Sequence, residues 1–67
     1  MDTDAKLANA RKHVEGGKRI IAAQERLVAE IRATGGDPTE AQSLLDSFRV
    51  TQANFEDDLR RLSKKAN

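Results

Sequence analysis

The sequence lacks cysteine, tryptophan and tyrosine, and it has one proline, one histidine and two phenylalanines among its 67 residues. Without cysteine no disulfide can stabilise the chain, and a single histidine cannot complete a four-ligand zinc site. No apolar run approaches the roughly 18 residues that cross a bilayer. A chain of this length is near the lower limit at which one core is sufficient, so we expect it to need a partner.

Charge is plentiful but balanced. Charged residues make up 34% of the chain, and twelve Lys and Arg residues nearly cancel eleven Asp and Glu residues. This balance argues against a general attraction to nucleic acid and against a membrane partner. The acidic start Met1-Asp2-Thr3-Asp4 lacks the basic and apolar segments of a signal peptide. We therefore expect a cytoplasmic protein.

Two long stretches repeat apolar residues at alternating spacings of three and four, a pattern typical of amphipathic helices. Between them lies the segment Thr-Gly-Gly-Asp-Pro-Thr-Glu at 34–40. A connection this short forces the two helices to run antiparallel. The sequence therefore predicts an all-α fold, a single helical hairpin over residues 1–67. Its elements are helix 1 at about 3–34, a turn at 35–37 and helix 2 at about 38–64.

The apolar face of helix 1 is wider than packing against one other helix requires, because two neighbouring rows of the helix are apolar. Both rows cannot face helix 2, so one remains for a partner. We expect a homodimer that forms a four-helix bundle of coiled-coil type, with another helical protein as the alternative partner. The candidate interface residues are Ile20, Ile21, Gln24, Leu27, Val28, Leu44 and Leu45. The candidate core residues are Phe48, Phe55 and Leu59.

The glycine pair Gly16-Gly17 lies inside predicted helix 1, where each glycine costs about 1 kcal/mol relative to alanine. If the turn centres near Gly36, Gly17 faces Phe55, and the missing side chain would leave room for the phenyl ring. The alternative is a kink at the glycine pair. The same register places His13 opposite Leu59.

Few side chains could carry chemistry. His13 alone suits acid–base work near neutral pH, and no nucleophile lies at helical spacing from it. We interpret it as a polar packing residue, since a metal-ligand role would need a second histidine from a partner chain. Gln24 either fixes the helix register from within its stripe or lies at the wet edge of the stripe. We predict no enzyme activity and no catalytic, cofactor-binding or metal site.

The run Glu56-Asp57-Asp58 does not predict a cation site, because consecutive helical residues point about 100° apart and cannot converge on one ion. We expect these carboxylates to pair with nearby bases, for which Lys12 and Lys18 of helix 1 are candidates.

The hairpin half that holds the termini is richer in bases than in acids. Its bases are Lys6, Arg11, Lys12, Lys18, Arg19, Arg60, Arg61, Lys64 and Lys65. A small nucleic-acid-binding regulator that uses this end is therefore the alternative to a protein–protein interaction or assembly module. No aromatic residues are interleaved with these bases for base stacking, which favours the interaction module.

One spaced set of residues runs through both predicted helices and the turn: His13, Val14, Gly17, Ile20, Gln24, Leu27, Val28, Ile31, Gly36, Asp37, Ala41, Leu44, Leu45 and Phe48. This pattern, over residues 13–48, resembles that of short bacterial helical-hairpin proteins that have no established activity. The resemblance implies the hairpin fold and a bacterial source. Those proteins tend to carry histidines in the second half of helix 2, where this chain has Gln52, Phe55 and Asp58. Any chemistry of such histidines is therefore not implied for this chain.

Overall fold

The computed structural model describes residues 2–66, which form two α-helices, Thr3–Ala33 (α1) and Thr39–Ala66 (α2). The helices pack against each other, and no strand occurs within the described range. The prediction of an all-α fold with two packed helices is confirmed. The predicted hairpin over 1–67 also included Met1 and Asn67, which lie outside the described residues.

Both ends of α1 are closed by local hydrogen bonds. Asp2 is the N-cap, and its carboxylate accepts a hydrogen bond of 2.8 Å from the backbone N–H of Ala5. At the other end, Gly35 N–H donates to the Arg32 carbonyl at 3.2 Å and Gly36 N–H donates to the Ile31 carbonyl at 2.9 Å. These two bonds form a Schellman motif. It requires the left-handed conformation found at Gly35, where φ is 78°.

The start of α2 is organised by Asp37. Its carboxylate accepts a hydrogen bond of 2.6 Å from the Thr39 hydroxyl and one of 3.0 Å from the Thr39 backbone N–H. The Pro38 carbonyl then accepts the first helical bond, from Gln42 N–H at 2.7 Å. The hydroxyl bond, followed by the backbone bond, lowers the pKa of Asp37 because both stabilise the charged carboxylate.

The lowered pKa of Asp37 predicts an acid-sensitive contribution to stability. A group whose pKa is lower in the folded than in the unfolded chain stabilises the fold above its unfolded pKa, about 4 for aspartate. That contribution is lost as the pH falls through the lowered folded pKa. Urea unfolding of the parent chain and of Asp37→Asn should therefore differ near neutral pH and converge in strong acid. A difference in unfolding free energy that stays constant across this pH range would contradict a lowered pKa for Asp37.

The two helices meet in a different register from the predicted one. His13 faces Phe55 rather than Leu59, and Gly17 faces Gln52 rather than Phe55. The shift of three to four residues is about one helical turn. Its cause lies in the connection, which runs back beside the last turn of α1, so that a Cβ on Gly36 would lie 3.0 Å from Ile31 Cγ2. Because the connecting residues run back along α1 and do not extend the hairpin, α2 begins beside a part of α1 that is nearer the N-terminus.

The core of the hairpin is narrow. Its buried apolar residues are Leu7, Ala10, Val14, Val28 and Leu45, and no described side chain is completely enclosed. The molecule measures 50 × 17 × 14 Å, so every residue lies near the surface. Two helices provide one seam and no enclosed layer, and part of the apolar surface stays exposed.

Neither described helix combines the length and the apolar character needed to span a membrane.

Candidate interaction face

A groove between the helices lies in the half of the hairpin that contains the turn, and we call it the turn groove. Its volume is about 330 Å³. Apolar side chains from both helices line it, and Asp37 and Glu40 add acidic groups. The apolar lining residues are Leu27, Ile31, Ala41 and Leu44. An apolar groove with an acidic edge is suited to another apolar helix face that carries bases.

A second groove lies in the half that contains the termini, and we call it the terminal groove. Its volume is about 310 Å³, and it is lined by Lys6, Asn9, Ala10, His13, Phe55, Asp58 and Leu62. The imidazole of His13 and the ring of Phe55 lie 4.9 Å apart between centroids, with an angle of 32° between their planes. The two rings therefore meet across the seam, while His13 as a whole remains exposed to solvent.

Ile20 lies on α1 between the residues of the two grooves. It lies seven residues, or two turns, from both His13 and Leu27, so these three side chains share one side of α1. Ile20 is 51% exposed, Leu27 43% and Leu44 48%, which is high for large apolar side chains. We call this surface the apolar flank, and it consists of His13, Ile20, Leu27, Leu44, Phe48 and Phe55.

The opposite edge of the hairpin is polar. Glu25 and Arg49 form an ion pair of 3.0 Å between the helices, and Arg32 donates a hydrogen bond of 3.3 Å to the Gln42 side chain. These contacts are exposed to solvent, so each stabilises the hairpin only slightly. Their importance is that they distinguish the two edges, because one is charged and the other is the apolar flank.

Two buried glutamines connect the helices inside the seam. Gln24 Nε2 donates to the Ala41 carbonyl at 2.9 Å, and Gln52 Nε2 donates to the Val14 carbonyl at 2.8 Å. Gln52 fills the space beside Gly17, where the predicted register places Phe55. The notch at Gly17 therefore exists, but it holds an amide rather than a ring. Gln52 Oε1 is buried and has no hydrogen-bond partner within residues 2–66.

The candidate interface residues fall into two groups in the single chain. Val28, Leu45 and Gln24 are buried in the seam of the hairpin itself, and Ile21 is half-buried. Ile20, Leu27 and Leu44 remain exposed on the apolar flank. A partner can therefore reach the second group directly, while the first group already packs within the chain. The candidate core residues Phe48, Phe55 and Leu59 are each half-buried.

The acidic run of α2 pairs within its own helix. Asp57 binds Arg60 at 3.1 Å and Arg61 at 2.9 Å, and Asp58 also contacts Arg61. The expected pairing with Lys12 or Lys18 does not form, and Lys18 instead binds Glu15 at 3.4 Å. Neighbours three and four residues apart on one helix meet without bridging the seam, which explains the preference.

Among the described residues, no three His, Cys, Asp or Glu side chains are grouped so that they could hold a metal ion. His13 lies beside the ring of Phe55, in a groove whose other polar side chains are those of Lys6, Asn9 and Asp58. The geometry is suited to holding another apolar surface.

Comparisons with protein-family models, curated proteins and solved structures gave no match to this chain.

Proposed function

We propose that this protein is a small protein–protein interaction module whose apolar flank pairs with a second copy to form a four-helix bundle. The observation that carries the proposal is the alignment of Ile20, Leu27 and Leu44, all substantially exposed, along one edge of an otherwise charged hairpin. Large apolar side chains scattered singly on a surface need no partner, but an aligned set of them indicates an interaction site.

The narrow seam supports the same proposal. Ordering a residue costs roughly 1–2 kcal/mol of conformational entropy, and burial must offset this cost along the whole chain. Among the described residues, the hairpin buries five apolar side chains. Stacking two hairpins would add a second layer of contacts on each flank, as in other four-helix bundles. A self-complementary dimer is the commonest assembly, since a symmetric interface uses one patch twice.

The alternative of a nucleic-acid-binding regulator has less support. It depends on the basic end, where Lys18, Arg60 and Arg61 pair with carboxylates of their own helices and no aromatic residues are interleaved with the bases for stacking. Nucleic-acid affinity depends on bases that are available to phosphates. The proposal includes the cytoplasmic location and bacterial source predicted from the sequence, and it assigns no enzymatic role.

Replacing Ile20 by Glu should separate the dimer while leaving the hairpin folded. Ile20 is 51% exposed in the single chain, and a carboxylate in the middle of the apolar flank would have to be desolvated on dimerisation, so we expect dimer affinity to fall about 100-fold. Sedimentation equilibrium over a range of concentrations measures this change, and far-UV circular dichroism checks the helices.

The matched control is Val50→Glu. Val50 is an exposed apolar residue of α2 that lines neither groove, and its replacement should not alter the mass of the assembly. A parent chain that keeps the mass of one molecule up to millimolar concentration would refute the homodimer and leave a different helical protein as the partner.

A further inference from the structure

We infer that the two copies stack antiparallel, so that the turn half of one hairpin lies over the terminal half of the other. The inference rests on the proposed dimer and defines its symmetry. The alternative is parallel stacking, in which the two turns lie at the same end of the bundle. Both arrangements cover the apolar flank, so the choice between them depends on charge and on the spacing of the flank residues.

The two halves of the hairpin carry opposite net charge. The terminal half, residues 1–19 and 50–67, has nine bases and six acids. The turn half, residues 20–49, has three bases and five acids. The net charges are therefore +3 and −2, which agrees with the total of +1. Antiparallel stacking places unlike halves together, whereas parallel stacking places like halves together. Charge complementarity of this kind selects the orientation of partners.

The side chains that line the two grooves differ in charge in the same way as the two halves. The turn groove includes the acidic side chains of Asp37 and Glu40, and the terminal groove includes Lys6. Asp58 also lines the terminal groove, but it pairs with Arg61 of its own helix. Within the described residues, Lys6 forms no ion pair, and neither does Glu40. These groups are available to a second copy.

The apolar flank is compatible with a two-fold axis that crosses α1 at Ile20. His13 and Leu27 are each seven residues from Ile20, about 10 Å along the helix in opposite directions. Antiparallel stacking about this point brings Ile20 against the same residue of the second copy and Leu27 against His13. Each terminal groove then faces a turn groove of the other copy.

Spin-label distances can distinguish the two arrangements. The chain has no cysteine, so a nitroxide can be attached at one introduced position. Arg19 and Ala33 are both exposed and lie fourteen residues, or four turns, apart, on the same side of α1. Antiparallel stacking about Ile20 separates the two copies of Ala33 by roughly 40 Å along the helix axis and the two copies of Arg19 by about 3 Å.

We therefore expect a much longer distance from labelled Ala33→Cys than from labelled Arg19→Cys. Parallel stacking gives nearly equal distances at both positions, because corresponding residues lie at the same level of the bundle. Equal distances in a sample whose mass is that of a dimer would overturn the antiparallel arrangement and leave the proposed dimer intact. A sample that remains monomeric would refute the proposed function itself.

Salt dependence provides a second measurement that needs no label. Attraction between unlike halves is screened by salt, so raising the salt from low ionic strength to about 0.5 M should weaken the antiparallel dimer severalfold. Repulsion between like halves would be relieved instead, and a parallel dimer would become tighter. A dimer that tightens with sodium chloride contradicts the antiparallel arrangement.

Discussion

Replacing Leu45 by Ala should lower the free energy of unfolding by about 2–5 kcal/mol, the usual cost of truncating a buried leucine. Leu45 is 3% exposed and is one of the few apolar side chains that the seam encloses. A loss of this size is a large part of the total stability of a small domain. Urea unfolding followed by far-UV circular dichroism, at one fixed protein concentration, measures it.

The adjacent leucine is the matched control for this experiment. Leu44 has the same side chain on the same helix, but it lies on the apolar flank and is half exposed. At concentrations where the chain is monomeric, Leu44→Ala should cost less than about 1 kcal/mol. It should weaken the dimer instead. Equal costs for the two truncations in the monomer would show that the seam does not lie where the structure places it.

Replacing Gly17 by Leu should lower the free energy of unfolding by about 1–3 kcal/mol or more, because the seam has no room for the new side chain. A Cβ at this position would already overlap Gln52 Oε1 and lie 2.7 Å from Gln52 Cδ. The smaller change Gly17→Ala requires only that the flexible end of Gln52 move. A leucine would push against the body of α2.

Two further variants make this prediction specific. Gly16→Leu places the same residue one position earlier, where the nearest atom to a new Cβ is a terminal nitrogen of Arg19 at 4.0 Å. It should be neutral or should stabilise α1 by up to about 1 kcal/mol, since leucine favours helices more than glycine does. Adding Gln52→Ala to Gly17→Leu should recover part of the loss. If the double variant recovers no stability, a collision between the introduced leucine side chain and Gln52 is not the cause of the loss.

The helices and the turn were predictable because their signals are local. Leu7, Val14 and Val28 mark one face of α1 by their spacing, and Leu45, Gln52 and Leu59 mark one face of α2 in the same way, each without knowledge of the other helix. Gly35 and Asp37 terminate α1 and begin α2 through bonds to residues within five positions along the chain. The Asp2 cap was missed, although an aspartate before an apolar periodic segment is a usual start signal.

The candidate site was only partly predictable. The sequence indicated that helix 1 is apolar on two rows, and Ile20 and Leu27 do lie exposed on one of them. Val28 and Leu45 belong to the seam instead. Which row faces α2 depends on how each helix is rotated about its own axis. That rotation follows from packing between residues distant in the chain, and periodicity alone does not specify it.

The sequence by itself therefore determined the fold class, the position of the turn and the amphipathic faces, because these depend on capping groups and on helical periodicity. Only the tertiary structure decided the register of the helices. The chain returns beside α1 at Gly36, which moves α2 by about one turn and places Gln52 rather than Phe55 at Gly17. The tertiary structure also decided which apolar row of α1 remains exposed, because burial is a property of the packed pair of helices and of neither helix alone.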